Sequence, residues 1–131
     1  MRPETSEHLE KAYLRLDTAA KNAAIEIWDI AGREAYLAAY HAAEALIFER
    51  TGNPAKTHRG VRSLFGRLTR HDPRIDRVLR SFLTEGYILK ETADYETGPA
   101  AAVTEEKAKA AIETARRFVD CVAGLIDKQE A

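Results

Sequence analysis

The chain has very little cysteine: Cys121 is the one thiol in 131 residues, so no internal disulfide can form. A lone thiol suits a reducing compartment, and on an apolar stripe it is more often a small buried residue than a nucleophile. With 45% hydrophobic residues, a chain of this length can bury a core without disulfides or structural metal. We therefore expect residues 1–131 to form a single domain.

Apolar runs long enough to cross a bilayer are also missing, since a transmembrane helix needs about 20 consecutive apolar residues. Residues 1–10 are polar and acidic and do not resemble a signal peptide. These two features predict no membrane partner and a cytoplasmic location.

Motifs for metal or cofactor chemistry are missing as well. The sequence has no glycine-rich phosphate loop, no zinc-ligand spacing and no Ser-His-Asp arrangement. His41 and Glu44 are three residues apart and can share a helical face, but a di-metal bundle needs several inward carboxylates with Glu-x-x-His pairs. We therefore predict no metal and no cofactor. His41 is a candidate acid or base, and the alternative is a purely structural histidine.

The charged residues are unevenly distributed along the chain. The overall charge of −1 disfavours a strongly basic nucleic-acid binder. Residues 50–80, however, contain nine basic and two acidic residues, a net of +7, and each flank carries −4. Eight of the nine cations are arginine, whose planar guanidinium matches phosphate. Two interpretations stay open: a phosphate-bearing partner, or arginines that are solvated or paired with the acidic flanks.

The spacing of the apolar residues predicts five helices and no strand. The first helix covers the stripe at 9–27, and the second runs from about Arg33 to Glu49 after a connection or kink at Gly32. Alanine recurs on several faces of the second helix, which predicts that neighbouring helices approach it from more than one side.

The remaining three helices are predicted from their capping residues. Thr57 caps a short third helix, and Asp72–Pro73 begins the fourth, which bends at Gly86. Thr104 caps the last helix after a loop at 96–103. Four long helices and one short one predict an all-α fold, an up-and-down four-helix bundle with an additional short helix.

The turn before the third helix has the composition of an anion site. Free backbone N–H groups and the helix dipole favour negative charge there, and several side chains around them are basic. The alternative is an ordinary capped helix with solvated cations. The candidate phosphate-binding residues are Lys56, Thr57, His58, Arg59 and Arg62.

A second set of candidates is polar and aromatic and lies on the second and fourth helices. Its one carboxylate, Asp94, is predicted at a helix C-terminus, where the helix dipole disfavours negative charge. We therefore expect Asp94 to have a specific partner such as an arginine or a tyrosine hydroxyl. This candidate interface or polar cluster comprises Arg33, Tyr36, Tyr40, Asp94 and Tyr95.

Three segments resemble the HEPN superfamily, and most closely its minimal stand-alone bacterial and archaeal members: residues 33–46 (REAYLAAYHAAEAL), 56–61 (KTHRGV) and 93–95 (ADY). Those members typically read Asn-Arg-Ala-Tyr-Tyr-x-x-Phe-His-Ala-Ala, then Lys-Thr/Ser-His-x-Gly, then Ala-Asp-Tyr. The resemblance covers nearly the whole chain. It implies an up-and-down helical bundle that forms a homodimer, often with a minimal nucleotidyltransferase as partner in a toxin–antitoxin-like pair.

The resemblance also implies binding of a nucleotide or RNA and, in many members, metal-independent ribonuclease activity as a toxin. The hallmark of that activity is an arginine and a histidine with four to six residues between them. Three pairs in this chain depart from it by enclosing seven, seven and three residues: Arg33 and His41, Arg50 and His58, and Arg67 and His71. The family's Asn-Arg and second Tyr are also replaced, by Arg33-Glu34 and Leu37.

Three functions therefore stay open for this sequence. The first is a HEPN protein that binds a nucleotide or RNA phosphate through its basic centre. The second is a ribonuclease toxin that uses His41 or His58 in proton transfer. The third is a purely structural dimerisation or interaction module, in which the arginines make protein contacts.

Overall fold

The computed structural model describes residues 1–95 and 102–130, which form five helices. The fold is all-α, as predicted, with four long helices and one short helix in a bundle. In chain order the helices are α1 (Pro3–Ala24), α2 (Trp28–Thr51), α3 (His58–Leu68), α4 (Arg77–Tyr95) and α5 (Glu105–Glu130). None of the helices in the described ranges is both long and apolar enough to cross a membrane.

Helix α2 lies at the centre of the bundle and packs against each of the other four helices. Its small side chains let neighbouring helices approach closely on several sides, which confirms the prediction made from its alanine content. The buried alanines of α2 are Ala31, Ala35, Ala38, Ala39, Ala42, Ala43 and Ala45. Larger side chains close the core elsewhere, for example where the rings of Phe65 and Phe118 lie 5.1 Å apart and join α3 to α5.

The connection between α1 and α2 is earlier than predicted. It covers residues 25–27, where Glu26 has a φ of 61°, and α2 already begins at Trp28. Gly32 is a buried residue inside α2, so the predicted connection or kink there is wrong. The glycine instead permits a close contact, because a Cβ at this position would lie 3.3 Å from Cγ1 of Val103.

The start of α4 is later than predicted. Asp72 accepts a hydrogen bond from the Arg74 N–H at 2.9 Å and, through its carbonyl, one from the Ile75 N–H at 3.2 Å, so Asp72–Pro73 forms a turn and not a helix start. Asp76 caps α4 by accepting a hydrogen bond from the Leu79 N–H at 2.9 Å. Both aspartates can cap a helix, and the spacing of the apolar residues that follow does not distinguish them.

Gly86 does not end or interrupt α4, which is continuous from Arg77 to Tyr95. The residue is buried, and a Cβ there would lie 2.9 Å from Cδ1 of Tyr36. Gly86 is therefore a point of close approach between α4 and α2.

The two threonine caps occur where they were predicted. Thr57 accepts a hydrogen bond from the Gly60 N–H at 2.8 Å, and Thr104 accepts one from the Lys107 N–H at 3.1 Å. The predicted loop at 96–103 lies outside the described residues for 96–101, and its last two residues precede the cap of α5.

Candidate functional site

Helices α2 and α4 present matching rows of side chains to each other. On α2 the row is Arg33, Tyr36 and Tyr40, and on α4 it is Tyr87, Lys90 and Asp94, each with spacings of three and four residues. The helices run in opposite directions, because Arg33 contacts Asp94 while Tyr36 contacts Tyr87. The start of α3 adds His58 at the tyrosine end of this row.

Three tyrosines surround His58, and we call these four residues the tyrosine–histidine cluster. The His58 ring centroid lies 4.4 Å from that of Tyr40, 5.2 Å from that of Tyr87 and 5.7 Å from that of Tyr36. Tyr36 is fully buried behind the others, whereas Tyr40 and Tyr87 are partly exposed. The cluster therefore has a buried wall and an aromatic surface that solvent reaches.

A short hydrogen bond fixes the histidine of this cluster. The Tyr36 hydroxyl lies 2.6 Å from Nδ1 of His58. Burial raises the pKa of Tyr36 far above its usual value, so the hydroxyl keeps its proton. Burial, together with the positive charges of Lys90 and Arg62, lowers the pKa of His58 below 6.5. Near pH 7 the contact therefore joins a neutral hydroxyl to a neutral imidazole, whose other nitrogen, Nε2, takes no part in it.

Arg62 borders the exposed side of the cluster, and two further cations flank the cap of α3. The guanidinium carbon of Arg62 lies 5.2 Å from the centre of the Tyr87 ring, within the range of a cation–π interaction. Lys56 and Arg59 are exposed on either side of the α3 cap. Thr57, which was grouped with them as a phosphate-binding candidate, has its hydroxyl engaged in capping α3.

The predicted polar cluster separates into two parts along the α2–α4 row. Tyr36 and Tyr40 belong to the tyrosine–histidine cluster, whereas Arg33, Asp94 and Tyr95 lie at the other end. Asp94 accepts hydrogen bonds from Arg33 Nε at 2.8 Å and from Lys90 Nζ at 2.9 Å, which confirms that it has an arginine partner. The Lys90 hydrogen bond and the nearby Arg33 charge lower the pKa of this carboxyl. Tyr95 is exposed, with its ring 5.6 Å from Lys90 Nζ.

Several arginines of the basic centre have structural roles near the α3–α4 turn. Arg50 donates to the carbonyl of Leu68 at 3.0 Å, and Arg80 donates to the carbonyls of Thr69 and Asp72 at 2.8 and 3.0 Å. Two further arginines bind carboxylates of the same turn: Arg74 pairs with Asp72, and Arg117 of α5 pairs with Asp76. For Arg50, Arg74 and Arg80 these contacts support the second interpretation of the +7 segment, arginines paired within the protein.

Sequence reasoning missed two residues of this row, Tyr87 and Lys90. Tyr87, Lys90 and Asp94 are three and four residues apart, as are Arg33, Tyr36 and Tyr40 on α2. The pairing of the two rows becomes visible only once α2 and α4 are known to be antiparallel neighbours. The hydrogen bond between Tyr36 and His58 joins residues 22 positions apart in the chain, and no local pattern reports that contact.

His41, the other candidate for proton transfer, lies next to Tyr40, and its Nδ1 is 2.8 Å from the Glu44 carboxylate, within hydrogen-bond distance.

A fourth arginine–histidine pair, Arg2 and His8, does enclose five residues, and sequence reasoning overlooked it. Both flank Phe48, with the guanidinium carbon of Arg2 6.0 Å and the His8 ring 6.5 Å from the phenyl ring centre. The Arg2 guanidinium donates to the Glu49 carbonyl at 3.2 Å, so it is engaged at the end of α2.

Comparison with known proteins gives three findings. The family model described as HEPN domain matches residues 5–125. A protein of Methanocaldococcus jannaschii named as a putative toxin is 37% identical over 86 residues, which cover 66% of this chain and 61% of that protein. The chain therefore spans less than two thirds of that relative's length. The crystal structure of a Thermus thermophilus protein has a similar fold, with a TM-score of 0.76, 22% identity, and coverage of 94% of this chain and 98% of that one.

Proposed function

This chain belongs to the HEPN domain family, and on that premise we propose that it binds a nucleotide or RNA at the tyrosine–histidine cluster. The observation that carries the proposal is the position of Arg62, whose guanidinium lies against Tyr87 beside a neutral His58. An aromatic face next to a guanidinium suits a nucleobase next to its phosphate, because bases stack on tyrosine and arginine pairs with phosphate oxygens.

Each part of the cluster has a separate task in this proposal. Tyr40 and Tyr87 provide the surfaces on which a base stacks, and the buried Tyr36 holds His58 from behind. Arg62, Lys56 and Arg59 supply the positive charge for the phosphates. Neutral His58 adds a hydrogen-bonding nitrogen, Nε2, without repelling or attracting the phosphate by charge.

Titration of a fluorescent single-stranded RNA at two salt concentrations tests this function. Removing three phosphate contacts in the variant Lys56→Ala/Arg59→Ala/Arg62→Ala should weaken binding at low salt at least about ten-fold and reduce the slope of log K against log salt by about two. A matched control, Arg67→Ala/Arg70→Ala/Arg77→Ala, removes the same charge from exposed positions of the same basic segment. It should retain most of the affinity, because those residues do not border the tyrosine–histidine cluster.

Two outcomes would contradict the proposal. One is the absence of binding to RNA, ATP and GTP at low salt. The other is an equal loss of affinity in both triple variants, which would mean that net charge and not the cluster determines binding. Unfolding curves for both variants establish that each one is folded under the conditions of the titration.

A ribonuclease toxin is the second candidate, and the neutral state of His58 favours it. In the tautomer whose Nδ1–H donates to the Tyr36 hydroxyl, Nε2 of the neutral imidazole can accept the proton of a ribose 2′-hydroxyl, while the arginine stabilises charge that develops on the phosphate. The naming of the Methanocaldococcus jannaschii relative as a toxin agrees with this role. Expression of the chain should then arrest growth, and His58→Ala should relieve the arrest while Tyr13→Phe, on the far side of α1, should not. Arrest that survives His58→Ala would remove His58 from the reaction.

For its partners, we propose a homodimer and, as a toxin–antitoxin-like pair, a complex with a minimal nucleotidyltransferase. Exposed apolar side chains on and after α1 are consistent with a protein contact, since Leu14 and Ile25 are 65% and 66% exposed. Light scattering after size exclusion measures the mass directly. A strictly monomeric chain that also fails to bind a co-expressed nucleotidyltransferase would contradict both assemblies.

A further inference from the structure

Three potential metal ligands from two helices meet beside the tyrosine–histidine cluster. His8 comes from α1, and His41 and Glu44 come from α2. One ligand atom of each lies within 4.8 Å of those of the other two. The Glu44 carboxylate is central, with Oε1 2.8 Å from His41 Nδ1 and 3.8 Å from His8 Nδ1. The three side chains are largely buried, with exposed fractions between 16% and 21%.

The surroundings of His8 point to a missing ligand at this place. Its Nδ1 is a buried atom that has no hydrogen-bond partner among the described residues, since 3.8 Å to Glu44 is too long for a hydrogen bond. A buried polar atom without a hydrogen-bond partner destabilises the folded chain. Glu44 Oε1 is hydrogen-bonded to His41 Nδ1, while His8 Nδ1 faces the same oxygen at 3.8 Å without a hydrogen bond.

We propose that His8 Nδ1, His41 Nδ1 and Glu44 bind one Zn²⁺ ion. Ligand atoms about 2.0–2.2 Å from a tetrahedral zinc ion are about 3.3–3.6 Å from each other, and the two separations from Glu44 Oε1, 2.8 and 3.8 Å, lie on either side of that range. Small rotations of the three side chains therefore bring them to zinc geometry. The ion supplies the partner that His8 Nδ1 lacks and replaces the hydrogen bond between His41 and Glu44.

The donor set determines the class of metal. Two imidazole nitrogens and one carboxylate suit zinc and the later transition metals, whereas Ca²⁺ and Mg²⁺ prefer oxygen ligands alone. Three protein ligands leave a fourth position for water or for an anionic ligand. Because the ligands come from α1 and α2, the ion also ties these two helices together. The proposal does not depend on RNA binding, which concerns other side chains.

Calorimetric titration of ZnCl₂ into metal-free protein tests the site. The wild-type chain should bind one equivalent with a dissociation constant on the order of 1 µM or tighter, and its melting temperature should rise with the free zinc concentration. Glu44→Gln keeps the size of the side chain but removes the anionic ligand, and His8→Ala removes the unpaired nitrogen. Each should weaken zinc binding at least about ten-fold and reduce the rise in melting temperature at a given zinc concentration.

Two controls keep the test specific. His71→Ala removes an exposed histidine of the α3–α4 turn, and Cys121→Ser removes the thiol, so both should bind zinc like the wild type. Circular dichroism of the metal-free variants shows that they are folded, and His8→Gln replaces His8→Ala if the smaller side chain prevents folding. The proposal is overturned if the wild type does not bind zinc, if Glu44→Gln and the folded His8 variant bind it unchanged, or if His71→Ala or Cys121→Ser abolishes binding.

Discussion

The two halves of the arginine-rich segment have similar compositions and different surroundings. Residues 56–62 border an aromatic cluster, and their cations are either exposed or stacked on a tyrosine. In residues 67–80, by contrast, Arg74 binds Asp72 and Arg80 binds two backbone carbonyls, and the exposed arginines there, Arg67, Arg70 and Arg77, have no aromatic ring as a described partner. The nearest carboxylates differ as well, since both acidic residues of the segment lie in the second half. A count of charges along the chain therefore says little about which of them are available to a ligand.

Substitution of Arg80 should separate the two halves most clearly. In Arg80→Ala the buried carbonyl region at Thr69 loses its guanidinium donor, so we expect the free energy of unfolding to fall by about 1–2 kcal/mol. RNA affinity of the folded variant should not change. Urea unfolding measures the loss, and Arg77→Ala, an exposed neighbour on α4, provides the control. An Arg80 variant of normal stability that binds RNA poorly would break the division.

Removal of the Tyr36 hydroxyl should have the next largest effect, on the first half. Tyr36→Phe leaves Nδ1 of His58 without its 2.6 Å partner, and we expect a loss of about 1 kcal/mol of stability together with weaker RNA binding. Tyr13→Phe removes a hydroxyl that bonds Asp120 at 3.3 Å on the surface, and it should change neither property measurably. Equal stability of Tyr36→Phe and the wild type would show that the short contact does not hold His58.

The pH dependence of stability should also report on the first half alone. The pKa of His58 is lower in the folded chain than its usual value of 6.5, so the unfolded chain binds more protons at acidic pH. The free energy of unfolding should therefore fall as the pH drops through that value. In the second half the pKa of Asp72 is about 2, so this carboxyl does not titrate in the same range. Unfolding curves between about pH 7.5 and about pH 5.5 should show a decline that His58→Gln reduces; an unchanged decline would assign it to other groups.

The smallest expected effect is on RNA affinity when the planar guanidinium of Arg62 is replaced by an ammonium group. Arg62→Lys keeps the charge but loses the planar group that stacks on Tyr87, so RNA affinity should fall about two- to five-fold with little change in its salt dependence. Arg67→Lys, in the second half, should not change the affinity. An Arg62→Lys variant that binds RNA as tightly as the wild type would indicate that stacking on Tyr87 has no part in binding.

Local patterns in the sequence were sufficient for most of the fold. Thr57 and Thr104 cap helices as predicted, because capping depends on neighbouring residues alone. The prediction at Gly32 failed because this glycine lies inside α2 and serves a contact with Val103, a side chain distant in the sequence. The predicted start of α4 was wrong because Asp72 and Asp76 can both cap a helix, and Asp76 is the residue that does so.

The candidate site was less accessible to such patterns. The resemblance to HEPN proteins drew attention to Tyr36, His58 and Asp94, and the last of these has the arginine partner that its position required. The contact of Tyr36 with His58 and the meeting of His8 with Glu44 depend on how helices pack, which the periodicity of each helix does not determine.

The close approach of Gly86 to Tyr36 limits how the ligand preference of this fold can evolve. Tyr36 is at once a wall of the tyrosine–histidine cluster and a core residue pressed against α4, so most replacements at this position disturb folding before they alter recognition. Tyr40, Tyr87 and Arg62 reach solvent and carry no such constraint. In a library randomised at all four positions and selected for a new ligand, diversity should therefore collect at those three while position 36 stays aromatic.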